Sequence, residues 1–221
     1  MSVAPASGVA GRQARGLPSL RAGARGGFGW WRTLRRSSFG VAMDDHQPST
    51  TPQAVFARRG LSLALLAYGL YDLTHPARAS LLAGVDLAIH ETGHLVFGPF
   101  GELIGFAGGT LFQLIMPALF VGYFWRRGDR HSASVALWWV GQNCGHIATY
   151  VADARAQELP LVGGGEHDWT YLLGRFGLLA HDQGIAGGIR TLGLLLVVAS
   201  SGYGIMAAGR GAPEPVSVPD R

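Results

Sequence analysis

The sequence predicts an all-α fold, a polytopic membrane helix bundle of four to five transmembrane helices with one candidate re-entrant segment. Two observations lead there, and a third bears on the chemistry. Hydrophobic residues make up 48% of the 221 residues and charged ones only 14%, well below the roughly 25% charged of a soluble domain. Beyond Arg59 the apolar residues fall into runs separated by short polar turns, as successive spans do. The single cysteine, Cys144, excludes an internal disulfide and any Cys-x-x-Cys metal knuckle, so histidine and carboxylate must do any metal binding.

The first 42 residues differ from the rest. They are rich in Gly, Ala, Ser and Pro and carry seven arginines (Arg12, Arg15, Arg21, Arg25, Arg32, Arg35 and Arg36) and no acid, a composition that predicts disorder. Met43 begins an ordinary polar N-terminus and is the expected translation start. Counted from there, eleven arginines face fourteen acids and the formal charge turns from +4 to −3. The high isoelectric point is therefore not read as nucleic-acid binding. The expected organisation is a disordered segment over 1–54, a membrane-embedded helical domain over 55–209 and a disordered tail over 210–221.

Candidate spans lie at 61–74, 79–98, 104–125, 132–152 and 184–208. The first is short for the roughly 20 residues a bilayer needs unless it extends back through AVFARRG. Tyr123, Phe124 and Trp125 run into Arg126 and Arg127, an aromatic and basic interface. Arg58, Arg59 and the 126–130 cluster share one side only if an even number of crossings separates them. Three candidates lie between, so one of those is expected to be re-entrant. The expected setting is a bacterial cytoplasmic membrane, with the chain integral to it.

Inside the second run lies VDLAIHETGHLVFGPFG, residues 85–101. On a helix, positions i and i+4 share a face about 6 Å apart, so His90 and His94 point the same way with Glu91 roughly 100° round. This is the spacing of a zinc site with an adjacent base. In a helix starting near Ala79, His90 stands about 16 Å along the axis, mid-membrane, where ionisable groups are expensive and usually functional. Asp86, one turn earlier, either accepts the other ring N–H of His90 or lines a wet cavity. HETGH also fits the His-x-x-x-His box of di-iron enzymes. Those need several boxes, and the remaining histidines form no second pair at that spacing.

With HETGH and the following FGELIGFAGGTLFQLIMP, the chain resembles the site-2 protease group of intramembrane zinc metalloproteases. The resemblance covers about residues 79–126. It implies that His90 and His94 bind Zn2+, that Glu91 is the catalytic base, and that a membrane-dipping segment leads to a helix start near Gly108 and Gly109. Gln113 stands where that family has an asparagine. The family's third ligand, an aspartate in an LDG motif, has no counterpart here, since Val162 occupies the nearest position.

The third ligand must then come from elsewhere in the chain. Gln142, Asn143, His146, Tyr150 and Asp153 draw one polar stripe down a helix, which for His146 and Tyr150 reads first as an interhelical hydrogen-bond network. Gly141 and Gly145 would let another helix approach closely. After them, GGGEHDW presents Glu166, His167 and Asp168. Asp168 has an alternative duty as N-cap of the next helix, whereas His167 has none, so the order of preference is His167, Asp168, Asp153. Gln113, Asn143 and Tyr150 are the candidate oxyanion donors. The expected function is a zinc metallopeptidase acting on a membrane protein or peptide within the lipid bilayer, with oligomeric state open. The alternatives are a non-catalytic, zinc-binding membrane scaffold and a zinc hydrolase of lipids or small molecules.

Overall fold

The computed structural model describes residues 50–78, 80–162 and 165–210. Among them are six α-helices and no strand: α1 (Pro52–Thr74), α2 (Ala83–Phe97), α3 (Glu102–Arg126), α4 (Arg130–Ala152), α5 (Asp168–Arg175) and α6 (Asp182–Ala207). The expected start at Met43 and the tail from 211 lie outside the described residues. The segment expected to stay disordered to residue 54 ends sooner, because Pro52 opens α1 and the Thr51 hydroxyl accepts from Ala54 N–H, a start that needs no N–H at the first helical position.

Two expectations about spans are corrected. The stretch 79–98 forms a helix of only 15 residues, about 22 Å long and short of a hydrocarbon layer. The membrane-dipping turn before Gly108 is absent: α3 runs unbroken for 25 residues through Gly108, Gly109 and Pro117. The reversal comes earlier, where Pro99 sits in a 3-10 turn and Gly101 takes φ +105°, a conformation open to glycine. Among the described residues, two helices can cross a membrane by length and composition, α3 and the stretch Leu179–Ala207. In each, only 28% of the most apolar window is buried against protein, unlike the core helix of a soluble domain.

α4 and α6 form the spine of the bundle. A Cβ on Gly141 would meet Gly193 O at 3.0 Å, and one on Gly193 would meet Gly141 O at 2.7 Å, so the two backbones touch where small residues allow it. α1 packs on this pair through Leu73, Trp138 and Val197. The interior is unusually polar: Ser62, Asp86, His131, Gln142, Asn143, Ser200 and Ser201 are buried. The exterior is apolar, with Phe56 81%, Leu195 63% and Met206 70% exposed. Water-soluble bundles invert that arrangement.

Candidate metal centre

α2 lies against the first half of α3, and the contact is nearly backbone to backbone. A Cβ on Gly93 would come within 2.3 Å of Gly108 O, and one on Gly109 within 2.4 Å of His90 Nε2. The two adjacent glycines therefore leave room for the helix and for one imidazole. From α2, His90 and His94 reach toward Asp168, the first residue of α5. His90 Nε2 is 2.9 Å and His94 Nε2 3.2 Å from Asp168 Oδ2. Ligand atoms of the three residues lie within 4.8 Å of one another, with His90 and Asp168 buried. This cluster can hold a metal ion.

Both rings are oriented by their other nitrogen. Asn143 Nδ2 donates to the Trp139 carbonyl at 3.0 Å, which leaves Asn143 Oδ1 to accept from Gln113 Nε2 at 2.7 Å. Gln113 Oε1 is then the atom facing His90 Nδ1 at 3.2 Å, and the ring must donate to it. His94 Nδ1 likewise donates to the Gly105 carbonyl at 2.8 Å. With both N–H groups committed to oxygen acceptors, the two Nε2 lone pairs converge on a carboxylate. Three electron-rich atoms so close need a cation or protons among them. Where protons take that place, burial would push the Asp168 carboxyl up, but bonds from the doubly protonated His90 and His94 rings outweigh it and hold Asp168 below the usual carboxylate range.

The two leading candidates for third ligand exchange roles relative to expectation. His167, not Asp168, is the N-cap of α5: its Nδ1 accepts from Thr170 N–H at 3.3 Å. Its Nε2 is 3.4 Å from Asp153 Oδ2, and its ring lies against Tyr150 at 4.1 Å. Burial lowers its pKa. Asp153 is occupied too, accepting from Glu158 N–H and Leu159 N–H at 2.9 and 3.1 Å. Neither His167 nor Asp153 belongs to the cluster. A residue that caps a helix turns its side chain back onto the helix's own N–H groups, so the residue after it is the one free to face the histidines.

Asp86 does not reach His90 and instead lines the cavity of about 390 Å3, the second of its two expected roles. Its Oδ1 accepts from Trp139 Nε1 at 2.8 Å and its Oδ2 lies 2.9 Å from His146 Nδ1, while His146 Nε2 is 3.6 Å from Asp72 Oδ2. This buried group ties α2 to α4 and α1. Gln113, placed by sequence among oxyanion donors, takes the orienting role at His90, with Asn143 behind it. Tyr150 keeps its hydroxyl proton to offer, because its oxygen accepts from Asp168 N–H at 3.4 Å. The Gly105 carbonyl and Trp139 were missed. Main-chain acceptors leave no mark in a residue pattern.

Glu91 and Tyr150 stand between two cavities, of about 390 and 430 Å3, whose walls share His90, Glu91, Tyr150, Leu161 and Val162. A metal at the cluster would thus sit beside two adjoining cavities with a carboxylate and a phenol in the wall they share. No family model, curated protein or solved structure matches the chain.

Proposed function

We propose that the protein is a membrane-embedded zinc metallopeptidase that hydrolyses peptide bonds of membrane-associated substrates. The observation that carries this reading is the convergence of two tautomer-fixed Nε2 atoms and a carboxylate next to a glutamate that faces a cleft. Tetrahedral zinc with ligands at 2.0–2.1 Å sets them about 3.3 Å apart, close to the 2.9 and 3.2 Å between Asp168 and the histidines. A His-His-Asp set leaves the fourth position open, as catalytic zinc requires. The HETGH helix, similar to that of site-2 proteases, supports the same reading.

Zinc, when bound, supplies a Lewis acid and lowers the pKa of its water to about 7. Glu91, which lines both cavities, would take the proton of the attacking water and return it to the leaving nitrogen. Tyr150 offers its hydroxyl proton to the oxygen that gains charge. Asp168 and the histidines hold their places through Gln113, Gly105 and Tyr150. The substrate segment must be locally unwound, since a helix keeps its carbonyls in its own hydrogen bonds.

Glu91→Gln should leave the protein folded and zinc-loaded yet inactive, because Gln keeps the size but cannot accept the proton. Quantitative proteomics of membranes from cells with wild type or Glu91→Gln reads this out as substrates that accumulate uncleaved. If no peptide or protein changes, the peptidase reading fails. A second reading, a zinc hydrolase of lipids or small apolar molecules, draws on the apolar lining of the 390 Å3 cavity by Leu73, Leu87, Ile147 and Leu161. Accumulation of a lipid in the same comparison, with no change in peptides, would favour it.

A further inference from the structure

We infer that the protein sits in its membrane with one arginine-rich end toward the cytoplasm and the metal centre near the opposite face, open to the non-cytoplasmic side. The inference rests on the membrane part of the function proposed above and is independent of what the site hydrolyses.

Contacts gather four helix termini at one end. Arg58 of α1 donates to the Ala208 and Arg210 carbonyls after α6, at 3.5 and 3.0 Å. His131 of α4 donates to Arg58 O at 3.0 Å. Trp125 of α3 stacks on Tyr203 of α6 at 6.1 Å, and the Arg130 guanidinium lies 3.8 Å over Trp125. Arg58, Arg59, Arg126, Arg127, Arg130 and Arg210 therefore share this end, although they come from three separate parts of the sequence. The parity problem of the sequence disappears, because α1 leads away from this end, α3 returns to it, and the short α2 between them packs only on the far half of α3.

Among the described residues the opposite end carries four arginines against six, Arg78, Arg155, Arg175 and Arg190, whose guanidinium reaches Thr149 near the end of α4 at 3.4 Å, and Arg155 donates two bonds to the Asp182 carboxylate at 2.7 and 2.8 Å. In short loops the arginine-rich side is the cytoplasmic one. Trp125 and Tyr123 add the amphipathic rings expected at that interface. The metal centre belongs to the other end. Tyr150, which holds Asp168, lies twenty residues along α4 from Arg130, and Gly105, which holds His94, lies twenty-one residues along α3 from Arg126. Each separation is about 30 Å of helix, one hydrocarbon thickness. The centre is not at mid-membrane. Metal and substrate reach it from the side away from the arginines.

Cysteine labelling tests this. Cys144 is the only native thiol and is buried, so wild type supplies the background. Gly209→Cys places a thiol at the arginine end where a Cβ meets nothing within 4 Å, and Glu158→Cys places one at the exposed far end. In sealed right-side-out vesicles, a membrane-impermeant maleimide should label Glu158→Cys at once and Gly209→Cys only after permeabilisation. The reverse pattern would overturn the orientation while leaving a membrane protein. Equal labelling of both before permeabilisation would overturn the separation of the two ends. Release of the wild-type protein from membranes by alkaline carbonate would overturn the membrane placement itself.

Discussion

At His90 both ring nitrogens have fixed partners, and only one of them lies in the metal cluster. The Gln113–Asn143–Trp139 relay decides the tautomer, so Gln113→Leu should weaken zinc binding by roughly 10- to 100-fold, the usual cost of losing such a partner. Asp86→Asn should leave affinity unchanged, because Asp86 bonds to Trp139 and lies against His146 rather than His90. Isothermal titration of zinc into the two purified variants separates them. Equal loss in both would mean that Asp86 also orients His90. The histidine pair and Glu91 were legible in the sequence because i, i+4 geometry is local. The third ligand was ambiguous because moving the start of α5 by one residue exchanges His167 and Asp168, and capping propensity alone favours aspartate over histidine.

Elements are positioned by small residues more than by large ones. Gly141 and Gly193 bring α4 and α6 into backbone contact, so Gly141→Leu should destabilise the bundle by about 1–3 kcal/mol or more, as overpacking does. Thermal unfolding in detergent should show the loss, and an unchanged midpoint would place the α4–α6 contact elsewhere. The close approach at Gly141 was visible from its spacing to Gly145, which faces Leu73 of α1 instead of α6. The length of α2 was not visible. Residues 79–98 have the length of a span and a largely apolar composition despite Asp86, His90, Glu91 and His94, and hydropathy cannot separate a helix that stops at Phe97 and lies along its neighbour from one that crosses.

For the molecule as a whole, the composition that points to a membrane setting is matched by an apolar exterior around a polar interior. A chain with few charges and a long series of apolar runs folds with its serines, amides and buried carboxylates inward and its leucines and phenylalanines outward, where lipid can cover them. Within that interior the metal cluster joins α2 to α5, two short helices, and those to α3 and α4 through Gly105, Gln113 and Tyr150. The most direct test of the account is the zinc content of purified single variants. His94→Ala and Asp168→Ala should each lose the metal, since two remaining ligands cannot hold catalytic zinc, while His167→Ala and Asp153→Ala keep one zinc per chain. Full zinc in Asp168→Ala, or an empty site in His167→Ala with Asp168 intact and the fold preserved, would contradict it.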